Sequence, residues 1–208
     1  MGRVNASGSS SGLRKALFLN GFAGEVMLFM LETWREFSLH REVRLEERIT
    51  ALLAQAMEEA YEAQQRRWFV FPEVPVTDPT FGTQTGRNDL RFYHRDIPGQ
   101  KVFFTVECKR LHVTTKSGFR HLADKYVNEG LQRFVDGKYS AGLPCGGMLG
   151  YVMDDRSSEA FVKVQDAIGS RTGALKMKGS RYPHGGPMLS GVRWRGDVSG
   201  ARLAGSGV

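Results

Sequence analysis

The sequence predicts an α/β fold, in which strands and amphipathic helices alternate along a single domain. Three observations support this prediction: a long helical pattern over residues 41–67, two alternating strands within residues 85–113, and a further helix and strand after them. The two strands are joined at residues 96–100, where Pro98 followed by Gly99 is typical of a turn. A chain of 208 residues is most simply one domain with a sizeable core.

The ends of the chain differ in composition from its centre. Residues 1–12 are rich in Gly and Ser, which predicts a flexible leader. We expect residues 13–198 to form the single domain and residues 199–208 to form a loose tail. Residues 16–31 are apolar but fall short of the roughly 20 residues that a membrane span needs, and Asn20 and Glu25 interrupt them. No small-residue cleavage site follows, as a secretion signal would require. We expect a buried helix, or a surface for a homodimer or a partner protein, and no membrane association.

The remaining elements follow from periodicity and from turn-forming residues. The first helix, over residues 17–37, is expected to be interrupted around Asn20-Gly21 and Gly24. A short strand at 68–71 is expected to end at Pro72 and Pro75, before a polar loop at 77–86. After the two central strands we expect a connector at 114–117, a helix at 119–135, a buried strand at 146–153, a helix at 157–168 and a last strand at 188–194.

Charge and cysteine content narrow the classes of function. The net charge of +7 suits a polyanionic partner, such as nucleic acid or a membrane surface. Two cysteines, Cys108 and Cys145, do not form a disulfide framework or a metal-binding spacing, so a reducing, cytoplasmic compartment is expected. The glycines of residues 146–153 lack the Lys-Ser/Thr of a phosphate-binding loop, which argues against nucleotide binding.

The chemically informative residues lie on the two central strands. Because side chains alternate along a strand, Glu107 and Lys109 share one face of the second strand, opposite an apolar row that includes Val106 and Cys108. Asp89 shares a face with Arg91 on the first strand. If the strands pair, two carboxylates and an ammonium converge. The alternative is a surface salt bridge on an exposed edge strand.

Carboxylates on neighbouring strands suit Mg²⁺ or Mn²⁺, which accept oxygen ligands together with water and substrate phosphate. Such an ion stabilises charge on a phosphorus centre and acidifies a bound water. A lysine beside it can orient or deprotonate the attacking water, or neutralise negative charge in the transition state. Hydrolysis of a phosphodiester needs these parts and no organic cofactor.

Asp89 followed by Glu107-Cys108-Lys109 resembles the motif of the PD-(D/E)XK nuclease superfamily, although Asn88 stands where proline is common. The resemblance covers residues 46–154 and implies a restriction-endonuclease-like fold, with a central mixed sheet flanked by helices. It implies metal ligation by Asp89 and Glu107 and a catalytic role for Lys109. An acid on the first helix often joins the site. Glu47 is preferred to Glu46 for this role because Thr50 lies three residues on, in a polar stripe.

The function that the resemblance implies is a Mg²⁺-dependent DNA nuclease, with RNA as the alternative substrate, in restriction or phage defence. Gln132 lies where exonuclease-like branches carry a glutamine, but the tyrosine that should follow closely is displaced to Tyr139, which favours an endonuclease. Arg133 and Lys138 are candidates for phosphate contacts or members of a solvated helix face. The rival function is a nucleic-acid-binding or assembly module that retains the fold without catalysis.

Overall fold

The computed structural model describes residues 7–40, 42–64, 66–77, 80–96, 103–115, 118–139, 143, 145–177 and 193–194. The helices are α1 (Ser7–Glu36), α2 (Glu46–Gln64), α3 (Ala123–Lys125), α4 (Gln132–Val135) and α5 (Ser157–Gly169), and a π-helical segment (Tyr126–Leu131) joins α3 to α4. The strands are β1 (Ser38–Leu39), β2 (Trp68–Thr77), β3 (Gln84–His94), β4 (Phe103–Thr115), β5 (Gly118–His121), β6 (Gly147–Val152) and β7 (Arg193–Trp194).

The main sheet is mixed and has five strands. β2, β3, β4 and β5 are neighbours in that order and pair antiparallel, whereas β6 pairs parallel with β4. A parallel neighbour requires a crossover connection, which the helical residues 123–135 provide. β1 and β7 form a separate parallel pair.

Apolar side chains on the two faces of the sheet build two cores. One core joins α1 and α2 to the sheet and includes Phe29, Ile49, Leu53, Phe92 and Val106, all of them buried. The other joins the residue 123–135 helices and α5 to the opposite face of β4, through residues such as Leu111, Val127 and Val164. The predicted α/β class is therefore confirmed, with a mixed sheet that has helices on both sides.

α1 is a continuous helix, so the interruption expected around Asn20-Gly21 and Gly24 is wrong. A glycine in a helix interior costs only about 1 kcal/mol, which the burial of Phe22 and Val26 on the adjoining face offsets. The helix also includes residues 7–12, which the sequence assigned to the leader. No helix in the described part of the chain is both long and apolar enough to cross a membrane.

β2 continues through Pro72 and Pro75, which the sequence predicted would end it. The strand lies at the edge of the sheet, where outward N–H groups have no strand to pair with and proline is tolerated. Between the prolines, Glu73 has a φ of 56°, which kinks the strand. The expected polar loop is shorter than predicted, because β3 already begins at Gln84.

The segment after β4 also differs from the prediction. Residues 114–115 of the expected connector belong to the end of β4, and residues 119–121 of the expected helix belong to β5, which pairs antiparallel with β4. Gly118, with a φ of 115°, adopts a conformation that other residues rarely reach. The helix accordingly begins at Ala123. Residues 97–100 of the predicted turn, most of the predicted last strand and the tail at 199–208 lie outside the described residues.

Candidate functional site

β3 and β4 pair over only part of their length and then separate. Their paired residues run from Tyr93–Phe103 to Leu90–Val106, and the same register places Asp89 opposite Glu107 immediately beyond the last pair. The backbone N–H of Cys108 donates a hydrogen bond of 2.6 Å to Asp89 Oδ2. We call the point beyond the last pair, where the two strands separate, the fork. There the carboxylate of Asp89 takes the place of a backbone carbonyl as the acceptor for the Cys108 N–H and so connects the two strands.

The ammonium of Lys109 lies at the centre of three carboxylates. Its Nζ is 2.8 Å from Glu107 Oε1, 3.2 Å from Glu46 Oε1 and 3.7 Å from Asp89 Oδ2, and it also donates a 2.9 Å hydrogen bond to the carbonyl of Cys108. Lys109 and Glu107 are both buried, at 7% and 1% exposure. The structure therefore brings together Asp89, Glu107 and Lys109, and the network is buried instead of lying on an exposed edge.

The acid from the first turn of α2 that reaches this network is Glu46, whereas the sequence favoured Glu47. Glu46 Oε2 accepts a 2.8 Å hydrogen bond from the backbone N–H of Arg110, while Oε1 contacts Lys109. Glu47 is exposed and lines the adjoining cleft. The Thr50 hydroxyl donates to the carbonyl of Glu46 and hydrogen-bonds Tyr151 on β6, so the first turn is held to the sheet.

Of Gln132, Arg133 and Lys138, the three residues that the sequence offers as nucleic-acid contacts, Arg133 belongs to the site. Its Nη1 donates to Glu107 Oε1 at 3.1 Å and to the hydroxyl of Tyr139 at 2.7 Å. Gln132 instead donates to Asp136 and to the carbonyl of Ala174. Lys138 is exposed beside β3, its Cε lying close to the backbone at Gly86. Glu107 is consequently held between two cations.

Burial dominates the electrostatics of the carboxylates. It raises the pKa of Glu107 to about 7, an effect that Asp89 reinforces and that Lys109 and Arg133 oppose. Burial also raises the pKa of Asp89, whereas the hydrogen bond from the Cys108 N–H and the charge of Lys109 lower it to a smaller extent. For Lys109, burial lowers the pKa, but the neighbouring carboxylates, Glu107 foremost, raise it to a larger extent. The raised pKa keeps Lys109 charged at neutral pH, as a group that neutralises negative charge requires.

A cleft of about 260 Å³ opens beside this network. It is lined by Leu45, Glu46, Glu47, Thr50, Glu73, Asp89 and Arg110. Glu73, which the sequence did not single out, lies on β2 between residues that pair with Leu90 and Asn88, and so opposite Asp89. It also forms an ion pair with Arg87. The sequence offered no signal for Glu73, because a strand was expected to stop at Pro72.

The donors present suit a hard cation. Glu107 Oε2 is buried and accepts no hydrogen bond from the described residues, and Asp89, Glu47 and Glu73 line the cleft. Within the described ranges, no three Asp, Glu, His or Cys side chains already form a metal-ligand cluster. Mg²⁺ usually takes only one or two protein carboxylates and completes its shell with water and substrate phosphate. Asp89 and Glu107 provide that number.

No family model matches the chain, and neither a curated protein nor a solved structure matches it. The chemistry of the site is therefore the basis for a functional assignment.

Proposed function

We propose that the protein is a metal-dependent nuclease that hydrolyses DNA phosphodiester bonds at the fork between β3 and β4, in restriction or phage defence. The observation that carries this proposal is the convergence of Asp89, Glu107 and Glu46 on Lys109 beside an open cleft. The order α2, β2, β3, β4, helix, β6, with the short strand β5 added before the helix, supports it, since the resemblance to the PD-(D/E)XK superfamily implies helix, three strands, helix and strand. The net charge of +7 suits a DNA substrate.

Each residue has a role that follows from its position. Asp89 and Glu107 would hold Mg²⁺ or Mn²⁺, which, when bound, supplies charge stabilisation at phosphorus and an acidified water. Lys109 neutralises the charge that develops on the phosphate oxygens. Glu46 positions the ammonium of Lys109, and Arg133 orients the carboxylate of Glu107. Glu47 and Glu73 line the entrance to the cleft.

Cleavage of supercoiled plasmid in Mg²⁺, Mn²⁺ or EDTA tests the proposal. We expect cleavage that requires the metal and that falls by at least about 100-fold in Asp89→Asn and Lys109→Ala, because each removes a group that stabilises charge at the reacting phosphate. Glu58→Gln is the matched control, since Glu58 is exposed on α2 away from the cleft. Equal cleavage by all four proteins would show that the activity comes from a contaminant.

The second candidate is a nucleic-acid-binding or assembly module without catalysis. The observation in its favour is that both oxygens of Glu46 and the ammonium of Lys109 already have partners within the protein. Such a module would retard DNA in EDTA and would never cut it when metal is added.

The closed circular plasmid also separates an endonuclease, which nicks it, from an exonuclease, which requires a free end.

A further inference from the structure

A row of aromatic rings crosses three strands on the face of the sheet that carries Asp89 and Glu107. The register places Phe69, Tyr93 and Phe103 side by side on β2, β3 and β4, with Phe71 in the adjoining row. The rings of Phe71 and Tyr93 are 5.7 Å apart, and those of Tyr93 and Phe103 are 5.9 Å apart. We call these four residues the aromatic platform. Phe69 and Phe71 are 39% and 48% exposed, so the platform is open on its β2 side.

Two arginines accompany the platform. The guanidinium carbon of Arg91 lies 4.3 Å from the centre of the Phe103 ring, and that of Arg95 lies 5.2 Å from the centre of the Phe69 ring. Arg91 also donates to the hydroxyl of Tyr93. Exposed rings interleaved with guanidinium groups offer stacking surfaces for bases and positive charge for phosphates, which is the chemistry that single-stranded nucleic acid requires.

The platform is continuous with the candidate site. Along the same face, the row after Phe71 and Arg91 consists of Glu73, Asp89 and Glu107. Arg91 is two residues from Asp89 on β3, a distance of about 7 Å along a strand. A nucleic-acid strand that lies on the platform would therefore lead directly to the carboxylates.

The edge strand that carries the two exposed rings is unsuited to pairing with a second copy. Pro72 and Pro75 lack the N–H groups that an added strand would need, and Glu73 kinks the backbone between them. A partner that approaches the face of the sheet instead meets rings and guanidinium groups. Positive charge there, on a protein of net charge +7, is complementary to a polyanion.

We propose that the aromatic platform binds single-stranded DNA, with bases stacked on Phe69 and Phe71 and phosphates paired with Arg91 and Arg95. Binding by the platform is independent of catalysis, whereas delivery of the bound strand to Asp89 and Glu107 rests on the proposed nuclease function. The platform would give the enzyme a preference for substrates with a single-stranded segment next to the bond that is cut.

The test is binding of a fluorescently labelled oligothymidine, and of a duplex of equal length, measured by anisotropy in EDTA so that no cleavage occurs. We expect the single strand to bind more tightly than the duplex, and the double variant Phe69→Ala/Phe71→Ala to lose affinity for it by at least about tenfold. Phe71→Trp should retain the affinity, because it keeps a ring. Phe81→Ala is the matched control, since Phe81 is 78% exposed in the turn before β3.

Unchanged affinity in the double variant would overturn the proposal, provided that urea unfolding shows the variant to be folded. A wild-type protein that does not bind the oligothymidine would overturn it too. Sedimentation gives a third contrary outcome: a dimer that Phe71→Ala converts to a monomer, without loss of DNA affinity, would make the platform a contact between copies. The plasmid assay is independent of these results. Binding of the oligothymidine without plasmid cleavage would disprove the nuclease function and support the platform. Plasmid cleavage by a protein whose platform variants bind the oligothymidine as the wild type does would support the nuclease function and disprove the platform.

Discussion

Lys109 is the residue on which the charges of the site depend. It is surrounded by Glu107, Glu46 and Asp89, and Glu107 also contacts Arg133. Burying such a network gives little net stability, because the desolvation of the charges offsets most of their attraction. An apolar replacement would serve a purely structural purpose equally well. Under the proposed function, these charged groups beside the open cleft act on a charged substrate.

The two neighbouring acids of α2 provide a matched pair of variants. We expect Glu46→Gln to lower plasmid cleavage by at least about tenfold, because it weakens the contacts that position Lys109 and the backbone of Arg110. Glu47→Gln should have the smaller effect, since Glu47 is exposed at the cleft. Initial rates at saturating Mg²⁺ measure both. A larger loss in Glu47→Gln would instead support Glu47 as the acid that joins the metal site.

The raised pKa of Glu107 predicts how stability depends on pH in the absence of metal. The unfolded chain loses this proton near the ordinary pKa of 4.5, but the folded protein holds it until about pH 7. Since the folded state binds more protons between these values, stability falls as pH rises from about 4.5 to about 7. The contribution of this group amounts to roughly 3 kcal/mol at most.

Urea unfolding in EDTA at several pH values measures this effect, as the difference between the wild type and Glu107→Gln. The difference should change across that window, with the wild type losing stability relative to the variant as pH rises. Glu58→Gln, which changes an exposed carboxylate on α2, should follow the wild type. Parallel curves for the wild type and Glu107→Gln would show that Glu107 titrates normally.

At the scale of elements, close approach between β6 and its neighbours holds the site in place. A Cβ added at Gly150 would lie 2.9 Å from Leu111 Cγ and 3.4 Å from the Tyr126 ring. One added at Gly130, in the π-helical segment, would meet the side chain of Met148 and lie 3.7 Å from Glu107 Cγ. Both glycines therefore lie where the helical residues, β6 and β4 are packed too closely for a larger side chain, next to the helix from which Arg133 contacts Glu107.

Gly150→Ala should therefore destabilise the protein by about 1–3 kcal/mol, because Leu111 is buried and has little room to move. The opposite result is expected for Gly24→Ala in α1. No atom lies within 4 Å of the added Cβ there, and alanine favours the helix by about 0.5–1 kcal/mol. Urea unfolding of both variants gives the two free energies. A neutral Gly150→Ala would mean that Leu111 can adopt another rotamer without loss of packing.

At the scale of the whole molecule, the excess of positive charge should control the affinity for nucleic acid. The charge of +7 is distributed over 29 Lys and Arg against 22 Asp and Glu, and acidic residues are concentrated in the cleft. Under the proposed function, phosphates would be bound mainly by basic residues outside the cleft, such as those of the aromatic platform. Long-range attraction of this kind is screened by salt.

Affinity for the labelled oligothymidine should accordingly fall as salt rises. The two phosphate contacts of Arg91 and Arg95 would lower it by about sevenfold between 50 and 200 mM salt, with a slope of about −0.7 per contact on a double-logarithmic plot. Anisotropy in EDTA measures this slope. Arg95→Ala should reduce its magnitude by about 0.7, which is the contribution of one phosphate contact. An affinity independent of salt would show that phosphates are not bound.

The amino-acid sequence by itself determined the central part of the candidate site. Alternation along a strand has a period of two whatever the surroundings, so it placed Glu107 beside Lys109 and predicted the approach of Asp89. Helical spacing likewise located α2 and α5, and the apolar run before Asp154 located β6. These features are set by residues adjacent in the chain, which is why they can be read without a structure.

Only the tertiary structure decided which distant residues meet. The choice of Glu46 over Glu47 depends on how the first turn of α2 is anchored to β4, and the contact of Arg133 with Glu107 depends on how the helical residues after β5 pack against β4. Glu73 joins the cleft because an edge strand tolerates two prolines. Contacts between elements depend on register and packing, which are properties of the assembled sheet and helices and are not encoded in any single stretch of the chain.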